Sequence, residues 1–85
     1  MPQPVRERNV DAFLEVYEPI LIACTLRYPH EFNFPPTQVS GVLKALRVGL
    51  LQNNFEIDTR PMKLMCELLE IPHTREAIER FLQSA

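Results

Sequence analysis

The side chains with the widest chemical range in this chain are Cys24, His30, Cys66 and His73, its full complement of cysteine and histidine. A structural zinc site gathers such ligands in close pairs, typically about two to four residues apart, because one short piece of backbone must hold both on the ion. Here the intervals are six residues, Cys24 to His30, and seven, Cys66 to His73. Both cysteines also fall in apolar stretches, where a thiol behaves as a small hydrophobe. Nucleophilic catalysis needs Cys or Ser beside a base that a third group orients. Cys66 lies among Met and Leu, surroundings that quieten a thiol, and Ser40 has no histidine near it in sequence. The carboxylate pairs Glu15/Glu18, Glu67/Glu70 and Glu76/Glu79 read as solvated helix faces rather than as acid–base partners in a cleft. No Gly-rich phosphate loop is present. These residues predict a non-enzymatic chain with no catalytic residue, no metal ligand and no cofactor.

The elements that carry them are set by proline and by apolar spacing. After Asn9, a good N-cap, a helical stripe runs through Val10, Phe13, Leu14, Tyr17, Leu21, Cys24 and Tyr28. Pro19 lacks the N–H that would bond to Glu15, yet the stripe keeps its phase across it. One kinked helix is the preferred reading; two consecutive helices, or a short strand at Ile20–Leu26, are the alternatives. The loop PHEFNFPP (29–36) brings Phe32 and Phe34, which are expected to fold back over the core, or else to offer a docking surface. A second helix starts near Pro36 or Thr37 with the stripe Val39, Val42, Leu43, Leu46 and Leu50, beside a line of small residues at Gly41, Ala45 and Val48. Gly49 either ends it or lies inside it, with Asn53-Asn54 the expected stop. Asp58 or Thr59 caps a third helix carrying Pro61 in its first turn and Met62, Met65, Cys66 and Leu69 on one face. Pro72 stops it. Thr74 caps a fourth, with Ala77, Ile78, Phe81 and Leu82 facing inward and Arg75–Glu79 and Glu76–Arg80 spaced to pair outside. The predicted fold is all-α, a bundle of about four short helices with Pro-bounded loops. A flexible arm is expected over residues 1–8 and a single domain over 9–85.

Composition bounds the function. Hydrophobic residues make up 46% of the 85 and charged residues 24%, a folded rather than a disordered profile. The longest apolar run, Ile20 to Cys24, is far below the roughly 20 residues of a membrane span. The opening residues are polar and Pro-rich rather than a secretory leader. A reducing cytoplasm, with both thiols free, is the simplest expectation. The net charge of −2 lacks the basic surplus that phosphate-neutralising proteins carry.

Binding therefore takes the place of chemistry. Helix one is apolar nearly all round at Ile20, Ile22 and Leu26, more than a single neighbour covers, so these are the candidate interface of a homodimer. A protein partner is the leading expectation. The runner-up is a small DNA-binding regulator. The segment MKLMCELLEI–PHT–REAIERFL (62–82) resembles in outline the helix-turn-helix, whose second helix enters the major groove. Glu70 stands where that pattern usually has Gly, the turn reads as one residue long, and Glu76 and Glu79 would face phosphate. Lys44 and Arg47 form a second candidate nucleic-acid surface on the 37–54 helix, which carries no acidic residue.

Overall fold

A computed structural model describes residues 4–84 and folds them into four helices, with no strand among the described residues: α1 (Val5–Arg27), α2 (Val39–Leu51), α3 (Arg60–Leu69) and α4 (Arg75–Gln83). Two single 3₁₀ turns, Pro29–Glu31 and Pro36–Gln38, lead from α1 into α2. Proline opens both, as its fixed φ and missing donor suit a first turn. Among the described residues no helix is long and apolar enough to cross a membrane.

Helix α1 starts earlier than its stripe. The arm expected over residues 1–8 is, from Val5 onward, the first turn of α1, and the Arg8 N–H donates to the Pro4 carbonyl at 3.0 Å. Residues 1–3 lie outside the described segment. Asn9 is thus inside the helix rather than capping it. Its side-chain amide instead donates to the carbonyls of Phe81, Leu82 and Ser84 at 3.3, 3.1 and 2.6 Å, satisfying the open end of α4. The reason is long-range: Arg6 is anchored through Nε to the Leu50 carbonyl at 2.8 Å and through its guanidinium to Glu79. Both contacts reach across the molecule, so no local spacing announces them. Pro19 neither breaks α1 nor divides it, because buried Tyr17 and Leu21 fix the helix on the core at either side.

The remaining elements follow their local signals. Thr59 accepts the Met62 N–H and Thr74 the Ala77 N–H, capping α3 and α4. Gly49 lies inside α2, and the turn beyond it uses Asn53 at φ 53°. The link between α3 and α4 spans residues 70–74 rather than one residue. Glu70 itself takes the left-handed position, φ 55°, with the Ile71 N–H donating to the Cys66 carbonyl at 3.1 Å. Glu70 departs from the glycine usual there, and the backbone adopts the glycine-like geometry anyway.

Helix α1 is the central element, packed against α2 and α4. Its Val10, Tyr17 and Leu21 meet Val39 and Leu50 of α2, Met62 and Met65 of α3 and Ile78 and Leu82 of α4 in one cluster. Each such side chain, fully withdrawn from water, contributes about 1.5–3 kcal/mol. Phe32 and Phe55 close the cluster from the links. Tyr17 is the polar exception: its hydroxyl donates to the Pro61 carbonyl at 2.6 Å, tying α1 to the start of α3.

Candidate functional site

An α-helix turns about 100° per residue, so the side chains of α1 divide into arcs. Val10, Phe13, Tyr17, Leu21 and Thr25 are buried on the core arc. The far flank carries Ala12, Val16, Pro19, Ile20 and Ala23, a second apolar arc that is exposed except at half-buried Ile20. Val16 is 63% exposed, Leu26 67% and Leu68 of α3 41%. No charged residue occurs from Pro19 to Leu26. Ala12, Val16 and Ile20 wall a hollow of about 420 Å³ whose other side is Leu68 and Phe81. A shallower one of about 320 Å³ continues past Ile20 to Ala23 and Tyr28. Ile20 stands between the two as a ridge.

The residues expected to form one interface divide along this helix. Ile20 joins the ridge. Ile22 is two positions on, hence roughly 160° round the helix, and points away from it. Leu26 extends the face toward its C-terminal end. Val16, Ala12 and Leu68 complete the surface and do not stand out in the sequence. Their signal is a second stripe, 12–16–20–23, offset from the core stripe and masked by it.

The basic surface is differently disposed. Lys44 is exposed, and Arg47 is paired at the surface with α1: its Nε donates to Asp11 at 2.6 Å, and its Nη2 to Asp11 at 3.3 Å and Glu7 at 3.2 Å. The hydrogen bond to Asp11 holds the guanidinium even more firmly protonated. Two carboxylates of α1, Glu7 and Asp11, thus sit beside the charge expected to face phosphate. In α4, Arg75 donates to the Phe55 carbonyl at 2.6 Å with its guanidinium 5.0 Å from that ring, and Glu79 pairs with Arg6. The expected Arg75–Glu79 pair is accordingly not made. Phe32 is buried, edge-on to half-buried Phe34 at 5.8 Å between centroids, with the Arg60 guanidinium 5.5 Å from its ring. Of the two aromatic candidates, only Phe34 reaches the surface.

Among the described residues no three His, Cys, Asp or Glu side chains converge as metal ligands. Cys24 and Cys66 are free thiols. Burial, with a smaller push from the Glu67 charge, raises Cys66 above the usual thiol range, which disfavours the nucleophilic thiolate. Burial likewise drives the Tyr17 phenol upward. His73 contacts the Ile57 carbonyl through Nε2, which pins the 52–59 link to the α3–α4 turn. Cys66 is thus buried in the core and His73 holds the fold, while His30 is exposed. Comparison with known protein families, with curated proteins and with solved structures returns no match.

Proposed function

We propose that this chain is a non-enzymatic helical module that acts by protein association, pairing with a second copy across the second face of α1. The observation that carries the reading is the form of that face, a ridge flanked by two hollows along one helix. An isologous contact requires a patch that fits itself. A two-fold axis beside residue 18, with the helices antiparallel, sets Val16 of each copy against Ile20 of the other. Ala12 and Ala23, small residues at the two ends, leave room for the backbones to approach. Opposed helix dipoles favour the same arrangement. The face is modest beside the roughly 800 Å² per partner of a standard interface, so a dimer that dissociates in the micromolar range is expected.

Sedimentation equilibrium from about 5 to 500 μM, spanning the affinity expected of a small interface, reads this directly. Val16→Glu, at an exposed position, is expected to leave the circular dichroism unchanged and shift the particle to monomer. A wild-type chain that stays monomeric at the top of that range overturns the pairing. The nucleic-acid reading has less to stand on, because Arg47 is internally paired. Duplex-DNA binding that falls steeply with salt and is lost in Lys44→Glu would restore it.

A further inference from the structure

A separate hollow lies between α2 and the N-terminal end of α3. It measures about 640 Å³ and shares no lining residue with the α1 face. Its floor is apolar: Val42 and Leu46 of α2, Phe55 of the following link and Met62 of α3. Ala45 and Gly49, one turn apart on α2, deepen it. The opening runs along the surface instead of closing over, which suits the face of an elongated ligand better than a small molecule enclosed on most sides.

Charge at the rim is one-sided. Glu56 and Asp58 line the loop edge, both exposed, and neither side chain has an ion-pair or hydrogen-bond partner among the described residues. The lining holds one cation, Arg60, 3.5 Å from Glu67 and over the Phe32 ring, against the two carboxylates. The net charge of the lining is therefore negative. From Thr37 to Asn54 no acidic side chain faces it from the α2 side.

We propose that this cleft is a docking site for a cationic amphipathic helix of a partner protein. Aliphatic side chains at i and i+4 of the ligand would lie along Val42, Leu46 and Met62, as helix-in-groove recognition uses them. A Lys or Arg beside them would meet Glu56 and Asp58. This docking goes beyond the pairing of copies and does not depend on it: the α1 face joins like to like, and this cleft takes an unlike partner.

The test uses a fluorescent 14-residue helical peptide bearing leucines at i, i+4 and i+7 flanked by lysines, and its twin with every lysine changed to glutamate. Anisotropy is measured against the full chain, with amide chemical shifts followed in parallel. The lysine peptide is expected to bind at least about tenfold more tightly, as two partly exposed charge pairs allow, and to move the amides of Ala45, Gly49, Glu56 and Asp58. Glu56→Lys with Asp58→Lys, exposed positions that leave the core untouched, is expected to reverse the preference. Ala45→Phe is expected to fill the cleft and abolish binding with circular dichroism unchanged. Equal affinity for both peptides would overturn the proposal, as would shifts confined to the α1 face. Loss of self-association in the double variant, Glu56→Lys with Asp58→Lys, would overturn it too, since the occupant would then be a second copy.

Discussion

Gly41 and Gly49 occupy the same helix and meet opposite surroundings. A Cβ at Gly41 would touch nothing within 4 Å, whereas one at Gly49 would come within 2.8 Å of the Asn54 carbonyl oxygen. Gly41→Ala is therefore expected to stabilise the chain by about 0.5–1 kcal/mol, through helix propensity and a less free unfolded chain. Gly49→Ala is expected to cost about 1–3 kcal/mol, because backbone must move to admit the methyl. Urea midpoints of the two variants check both signs. Only the first outcome was within reach of sequence, which places Gly41 inside an apolar-spaced helix. The second depends on how the chain returns over α2 after Asn53, where the Asn54 N–H donates to the Gly49 carbonyl at 2.8 Å. Caps were legible for the converse reason: Thr59 and Thr74 each act three residues along, on Met62 and Ala77, so their geometry is written locally.

At the scale of the element, α1 is the instructive case. Its core stripe was readable from Val10 to Leu21, because burial against one side imposes the 3.6-residue period; beyond that Thr25 rather than Cys24 is buried, and Tyr28 is exposed past the end of the helix. Its start was not, since residues 5–8 carry no stripe and are held by Arg6 bonding to Leu50 and Glu79. Nor was its continuity through Pro19 settled, as a lost hydrogen bond and a ring clash weigh locally against core anchors on both sides. An interior proline costs about 3 kcal/mol relative to alanine, and Pro19 is exposed on the second face. Pro19→Ala is expected to raise the thermal midpoint by several degrees, the size of effect that about 1–2 kcal/mol has in a domain this small. Scanning calorimetry measures it; a lowered midpoint would show that the core packs on a helix shaped by the proline.

For the molecule as a whole, the Arg6–Glu79 contact joins α1 to α4 while Arg6 also holds the end of α2. The Arg6 hydrogen bond keeps the Glu79 carboxyl below its usual range, against an opposing push from burial. A carboxylate depressed in the folded state contributes stability above its unfolded pKa and loses it as pH falls through the folded one. Wild type should therefore weaken below about pH 4.3, the ordinary glutamate value, while Glu79→Gln should show a flatter acid limb in denaturation curves taken from pH 7 to 2. The advantage of wild type should vanish at the acid end; an equal slope in both would show the pair to be silent. Arg6 and Glu79 lie 73 residues apart in sequence, which is why only the finished fold reveals their partnership. The bond from Asn9 to the last turn of α4 has a further consequence. Head and tail of the bundle are clasped at one pole, so a short bridge could close the chain into a ring. New termini opened at the exposed Gln52–Asn54 turn would then leave every helix intact. Such a circular permutant is expected to fold with the parent's spectrum.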